Sequence, residues 1–330
     1  MEELKSLRNQ IFKIRGEHEF ELLAMRIFKF QSQQNQVYQS YLKHLNLDIS
    51  KIRSIAQIPL LPIQFFKTHK VISSTKKADE TFTSSGTTGM AQSRHFVSDI
   101  NIYSESFLKG FSHFYGEIED YCILALLPSY LERDGSSLVF MVDELIKKSK
   151  QPESGFYLNN HRQLVETINS TQLRNKKILL IGVSFALLEL AEKFQINHPN
   201  LTVMETGGMK GRRKELIREE LHKILTAGFN VEKIHSEYGM TELLSQAYSF
   251  GDGVFTIPPW MKVIIRDAND PFSYVENGKS GGINVIDLAN INSCSFIMTQ
   301  DLGRMVSENS FEVQGRFDAS DIRGCNLLVD

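Results

Sequence analysis

The sequence predicts an α/β protein of layered, mainly parallel sheets with helices, completed by a small β-rich subdomain. Three observations carry that prediction. Apolar residues recur at helical spacing through the first segment; apolar strand-like runs then alternate with helix-forming segments; and beyond Phe250 short β-branched runs separated by turn residues take over. The expected division is residues 1–250 as the α/β core and 251–330 as the β-rich subdomain with the tail.

From Glu3 to Leu45 the apolar positions Phe20, Leu23, Ala24, Ile27 and Phe28 share one helical stripe, and no glycine follows Gly16, so helices are expected there. Ile58-Pro59-Leu60-Leu61-Pro62 is a proline-punctuated lead into Phe65-Phe66-Lys67-Thr68. Val71-Ile72 and Thr81-Phe82 read as short strands, the second running into a Ser/Thr/Gly loop. Ile100 to Phe114 is expected to be helical, Cys122 to Leu127 a buried strand, and Leu138 to Lys147 a helix. Lys177 to Val183 is another apolar strand, and Phe185 to Glu192 carries good helix formers throughout. In the final segment the strand-like runs are Lys262 to Arg266, Gly282 to Asp287, Ser295 to Met298 and Phe311 to Val313, with Asn277-Gly278 as a hairpin turn.

Composition narrows the function classes. The chain has 330 residues, is 42% hydrophobic and carries a formal net charge of −2, so no global electrostatic field invites nucleic acid or an anionic membrane. Its longest apolar runs, such as Cys122 to Leu127, fall far short of the roughly 20 residues that span a bilayer. The charged start, Met1-Glu2-Glu3-Leu4-Lys5, lacks the features of a signal peptide, and a cytoplasmic location is expected. The three cysteines, Cys122, Cys294 and Cys325, show no C-x-x-C spacing, so neither a disulfide framework nor a zinc cluster is indicated.

The most informative stretch is Thr83-Ser84-Ser85-Gly86-Thr87-Thr88-Gly89. Its glycines let successive backbone N–H groups converge on an anion, and its hydroxyls add donors to the same oxygens, so it suits phosphate. No lysine follows at the Walker position, and Gly278-Lys279-Ser280 lacks the upstream glycine of a P-loop. The densest charge run, Lys210-Gly211-Arg212-Arg213-Lys214-Glu215, follows Gly207-Gly208 and reads either as a solvated helix start or as an anion site.

That loop is followed in order by Thr206-Gly207-Gly208, Glu237-Tyr238-Gly239-Met240-Thr241-Glu242, Thr299-Gln300-Asp301-Leu302-Gly303 and Gly315-Arg316-Phe317-Asp318. In the second of these the glycine permits close backbone approach, and Thr241 and Glu242 offer the oxygen ligands that Mg2+ prefers beside phosphate. A carboxylate such as Asp301 can accept from both hydroxyls of a ribose. Together the five motifs resemble the adenylate-forming superfamily of acyl-CoA synthetases, luciferases and peptide-synthetase adenylation domains, over roughly residues 80 to 325.

The resemblance implies the large N-terminal-type domain of those enzymes, ATP and Mg2+ as cofactors, and activation of a carboxylic acid to acyl-AMP. It implies that Thr83 to Gly89 hold the β- and γ-phosphates and that Gly207 and Gly208 line the adenine, on which Tyr238, next to Gly239, would stack. Thr241 and Glu242 would attend the α-phosphate, Glu242 with the metal, and Asp301 with Arg316 would hold the ribose. Tyr130, in Leu126-Leu127-Pro128-Ser129-Tyr130, falls where relatives present substrate-pocket residues. It reads as part of an acyl channel or as a strand-terminating turn.

Superfamily members carry, beyond the Gly-Arg-x-Asp motif, a lid domain with a catalytic lysine; here the sequence ends at Asp330, and that lid is expected to be absent. The final segment, with Pro59 to Lys67 and Thr206 to Arg212, is similar to the acyl-protein synthetase branch of the bacterial luminescence fatty-acid reductase system. In that branch a cysteine near the C-terminus receives the acyl group, which marks Cys325, flanked by Arg323 and Gly324, as the expected nucleophile; Cys122 and Cys294 are expected to be buried hydrophobes. The branch also implies a fatty acid as substrate and an acceptor protein, a reductase or carrier, as partner. Two other readings stay open: a truncated acyl-CoA or phenylacetate-CoA ligase-like enzyme that uses CoA, and a non-catalytic subunit that binds nucleotide or acyl-adenylate.

Overall fold

The computed structural model describes residues 2–73, 76–84, 92–127, 135–158, 160–170, 173, 175–207 and 216–317. In chain order the helices are α1 (Glu2–Ile11), α2 (Glu17–Gln34), α3 (Gln36–His44), α4 (Phe65–Thr68), α5 (Ile100–Tyr115), α6 (Ser137–Ser149), α7 (His161–Ile168), α8 (Ser184–Lys193) and α9 (Arg218–Phe229). The first strands are β1 (Leu61–Pro62), β2 (Glu80–Thr83), β3 (Arg94–Val97), β4 (Tyr121–Leu126), β5 (Gly155–Phe156), β6 (Lys177–Val183) and β7 (Leu201–Thr206). They are followed by β8 (His235–Tyr238), β9 (Ala247–Ser249), β10 (Val254–Thr256), β11 (Met261–Arg266), β12 (Gly281–Asp287), β13 (Phe296–Ser307) and β14 (Ser310–Arg316). No helix among the described residues is long and apolar enough to cross a membrane.

The chain forms two compact units. A terminal unit joins Met1–Asp79, Gly86–Asp99 and Pro259–Asp330, and a central unit joins Glu80–Ser85 to Ile100–Pro258. The division expected at 250/251 differs on two counts: the change-over falls at Pro258–Pro259, and the N-terminal helices belong with the C-terminal strands. Buried amides supply the reason. On α2, Gln31 continues the apolar stripe of Phe20, Leu23, Ile27 and Phe28, is itself fully buried, and donates to the carbonyls of Asn290 and Ile291 at 3.0 Å each. Its Oε1 accepts the Ser295 N–H at 2.9 Å. Asn35 caps α3 by accepting from the Tyr38 N–H and donates to the Ser293 carbonyl at 2.9 Å. These two side chains satisfy backbone groups of the 290–295 loop that would otherwise be buried without partners.

Within the terminal unit β11, β12, β13 and β14 are antiparallel neighbours, and β1 lies parallel to β13 with Leu61 opposite Ile297 and Pro62 opposite Met298. The expected strand at Ser295–Met298 is therefore the start of a much longer one that serves three partners, β12, β14 and β1. Val71-Ile72 form no strand, because the Val71 carbonyl accepts from the Ser293 hydroxyl at 2.9 Å instead of entering a ladder. Asn277-Gly278 do form a turn, with Gly278 at φ +85° and the Lys279 N–H bonded to the Glu276 carbonyl, but the connection between β11 and β12 runs from Asp267 to Ser280 and is no tight hairpin.

In the central unit β5, β4, β6, β7 and β8 lie side by side in that order, all parallel, and β9 and β10 extend the sheet antiparallel beyond β8. β4 is buried at every position and β6 at every position after Lys177, as strands covered by helices on both faces require. The alternation anticipated between Ile100 and Glu192 is present with boundaries within two residues of those expected.

Gly303 shows how tightly the antiparallel part is packed. A Cβ there would lie 2.2 Å from the Glu312 carbonyl oxygen and 2.7 Å from Ile283 Cδ1. Gly303→Ala is expected to cost about 1–3 kcal/mol by overpacking, read as a lowered urea midpoint at unchanged m-value, and an unaltered midpoint would contradict the packing.

Candidate functional site: two clusters of motif residues

Parallel strands side by side end on one edge of the sheet, and in open α/β sheets ligands bind outside that carboxyl edge, where the strand order reverses. In the central unit the reversal lies between β4, which continues to β5 on one side, and β6, which continues to β7 on the other. The residues that follow the strands on this edge are Leu127 after β4, Ser184 after β6, Gly207 after β7 and Gly239 to Glu242 after β8.

The end of β7 is held from below by Glu205. This buried carboxylate accepts from Ser184 Oγ at 2.7 Å and from Ser236 Oγ at 2.9 Å, with Arg218 Nε at 3.7 Å and His222 Nε2 at 3.6 Å beside it on α9. Burial works to raise its pKa; the neighbouring His222, the charge of Arg218 and the Ser184 hydroxyl outweigh that and hold it below the usual carboxylate value. Ser184 also contacts the carbonyl oxygen of Gly207. Gly207 itself has φ +68°, a conformation that favours glycine, so the chain can turn sharply as it leaves β7.

Glu237 of β8 lies opposite Thr206 of β7, and Thr206 Oγ1 donates to Glu237 Oε2 at 2.6 Å. Its carboxyl pKa is pushed up to about 7, first by burial and then by Glu205, against the opposing Thr206 hydrogen bond. Gly239 follows because a Cβ there would sit 2.3 Å from Glu237 Oε1. Tyr238 is buried, its ring 5.8 Å from Phe255. Thr241 and the buried Glu242 lie in a turn closed by the Leu243 N–H on the Met240 carbonyl. His235 is a structural residue: Nδ1 is 3.1 Å from the Tyr115 hydroxyl, and burial followed by Lys233 lowers its pKa to about 4.

The Ser/Thr/Gly loop begins where β2 ends. Phe82 anchors that strand, its ring 5.4 Å from Tyr103 and 5.8 Å from Phe140. The Thr83 N–H donates to the Gly135 carbonyl at 2.8 Å, and Gly135 has φ +80° with no room for a side chain against the Thr81 carbonyl. Thr83 is thus set beside Gly135, just ahead of α6. Ser85, Gly86, Thr87, Thr88, Gly89, Gly208, Tyr130, Lys210, Arg212, Arg213 and Cys325 lie outside the described residues.

The terminal unit brings Asp301 and Arg316 together. They face each other across β13 and β14, and Arg316 Nε donates to Asp301 Oδ1 at 2.9 Å. The Asp301 side chain is 8% exposed and that of Arg316 68%, so a buried acceptor is covered by a solvent-facing cation. Beneath them Thr299 Oγ1 accepts the Asp301 N–H at 3.1 Å and donates to the Ile283 carbonyl at 2.7 Å. The buried Arg266 donates to the Ile283 and Thr299 carbonyls and to Asn284 Oδ1 at 2.8–3.0 Å, and its guanidinium lies 5.2 Å from the Phe317 ring centre. Burial lowers its pKa to about 10, with Asp301 acting in the opposite sense.

Sequence reasoning passed over Ser184, Glu205, Glu237 and Arg266 as functional positions. Glu205 carried a readable signal, an acid directly after the strand-like run Leu201-Thr202-Val203-Met204; Ser184 and Arg266 are marked only by contacts made across the sheet. Cys122 and Cys294 are buried as expected, and burial pushes their thiols up to about 11 and about 12. The Thr241 hydroxyl and the Glu242 carboxyl are oxygen groups, the donor type that suits a hard cation. Among the described residues no three His, Cys, Asp or Glu gather into a metal site of their own.

Solved structures share this fold. 2-Hydroxyisobutyryl-CoA ligase in an open conformation, in complex with 2-HIB-AMP and CoA, is 12% identical with a TM-score of 0.70 over 93% of this chain and 72% of that one. The same ligase in its thioesterification state gives 13% identity and a TM-score of 0.66 over 96% and 69%. ATP-bound MatB from Rhodopseudomonas palustris gives 16% and 0.55 over 72% of this chain, which spans 47% of MatB. No curated protein sequence matches the chain. The sequence profile of the acyl-protein synthetase family LuxE matches residues 139–330, more than half of the chain, and takes in β6 to β8 and the Asp301–Arg316 pair. The chain belongs to the LuxE acyl-protein synthetase family.

Proposed function

We propose that this protein activates a fatty acid with ATP, releasing pyrophosphate, and passes the acyl group through Cys325 to an acceptor protein. In the first step a carboxylate oxygen bonds to the α-phosphorus of ATP and the bond to the pyrophosphate oxygen breaks. In the second, the Cys325 sulfur bonds to the acyl carbon and AMP departs, leaving a thioester. The observation that carries this reading is the carboxyl edge of the central sheet, where a glycine turn, two hydroxyls and a buried carboxylate follow adjacent parallel strands in a chain of the LuxE family.

In this reading Thr83 to Gly89 receive the β- and γ-phosphates, Gly207 and Gly208 line the adenine with Tyr238, and Asp301 with Arg316 receives the ribose. Thr241 and Glu242 hold Mg2+, which when bound would offset phosphate charge. Displacement at phosphorus asks mainly for alignment and charge neutralisation, the two things such a cradle supplies. Tyr130 lines the acyl channel, and the cytoplasm, where an acceptor reductase or carrier would meet the thioester, is the setting. The CoA-bound ligase neighbours keep one alternative specific: a CoA-using enzyme would make acyl-CoA without Cys325.

Carboxylate-dependent ATP–pyrophosphate exchange tests the first step. Glu242→Ala and Asp301→Ala are each expected to lower it by about 100-fold, the scale of losing one preorganised electrostatic contact, and full exchange in both would refute the assignment. Mass spectrometry after incubation with ATP and a fatty acid tests the second. An acyl adduct on Cys325 is expected, absent in Cys325→Ser while exchange persists; a Cys325→Ser protein that still yields acyl-CoA would select the CoA-using alternative.

A further inference from the structure

Glu237 lies inside the motif that runs to Glu242, yet the roles proposed above leave it without a task. Its two oxygens are engaged on two turns. Oε2 accepts from Thr206, the residue before Gly207, and Oε1 fills the place that a side chain on Gly239 would take. One carboxyl therefore bridges the exit of β7 and the exit of β8. Glu205 does the corresponding work on the opposite face through Ser184 and Ser236, but it has the Arg218 guanidinium as a counter-charge and the His222 imidazole ring beside it. What surrounds Glu237 is different: Thr206 from β7, the Tyr248 phenol from β9 and the Tyr115 phenol from α5, the last hydrogen-bonded to His235, with the charge of Glu205 acting from the other face of β7.

We propose that Glu237 is a positioning residue for nucleotide binding, holding the Thr206–Gly207 and Tyr238–Gly239 turns together, and that it serves best in its neutral form. This rests on the nucleotide-binding reading given above. A neutral carboxyl still accepts the Thr206 hydrogen bond through its carbonyl oxygen. An ionised one adds a second negative charge beside Glu205, on the edge that is to receive an anion. Because the folded protein raises this carboxyl to about 7, the proton is held below that pH and released above it, so the penalty on binding grows as pH rises through neutrality.

Calorimetry of Mg-ATP binding to the full chain, comparing wild type with Glu237→Gln and Glu237→Ala at matched pH, tests the proposal; matching removes the titration of the nucleotide itself. The ratio of wild-type to Glu237→Gln Kd is expected near one at about pH 6 and near about tenfold at about pH 8, the scale of one pKa unit of coupling. Glu237→Ala, which removes the acceptor for Thr206, is expected to bind about tenfold more weakly than Glu237→Gln at the lower pH, with thermal unfolding of both variants within a few degrees of wild type. A ratio that stays at one throughout overturns the role of the charge. Equal binding by the Gln and Ala variants overturns the positioning role, and a wild type that binds no Mg-ATP refutes the functional reading itself.

Discussion

Parallel strands bonded in register must deliver their C-terminal turns to the same edge, and the candidate site of the central unit depends on that constraint. The pairing of Met204 with His235 and Thr206 with Glu237 puts the exit of β7 beside the exit of β8. The pairing of Val183 with Thr206 does the same for β6 and β7. Segments far apart in the chain, Ser184, Thr206-Gly207 and Tyr238 to Glu242, become neighbours through backbone geometry alone. Side chains then stiffen the arrangement, with a carboxyl on each face of the sheet taking up hydroxyls from the adjoining strand.

The two carboxyls illustrate how environment divides identical chemistry. Glu205 is buried, yet it stays ionised because a guanidinium, an imidazole and two hydroxyls surround it. Glu237 accepts one hydroxyl, faces two phenols and feels the charge of Glu205 across the strand, so desolvation dominates and its proton is held near neutrality. Residue type is the same in each case; the partners brought by α9 on one face and by α5 and β9 on the other decide the charge. In the terminal unit the pattern recurs in reverse, where Arg266 is a buried cation satisfied by three carbonyl-type acceptors beneath Asp301.

Much of this was legible beforehand. The helices of the first segment, the strands Cys122 to Leu127 and Lys177 to Val183, and the helix after the latter follow from local periodicity, which burial within each unit only reinforces. The motif residues stood out because glycine, hydroxyl and acid in short order suit close backbone approach to an anion. Less legible were features decided by partners distant in sequence. Gln31 and Asn35 look like polar interruptions of helices until the 290–295 loop supplies the carbonyls they satisfy, and Val71 looks like a strand until Ser293 takes its carbonyl.

By itself, then, the order of residues determined the principal helices and strands, the class of fold and the family-bearing motifs, since each depends on spacing or on the intrinsic conformational freedom of a few residue types. Tertiary structure alone decided which segments share a unit, which carboxyl is charged and which glycine has a neighbour pressed against it. Those properties depend on desolvation and on contacts among groups many residues apart, and no local pattern encodes the distance between Thr206 and Glu237 or the space that Gly239 leaves for it.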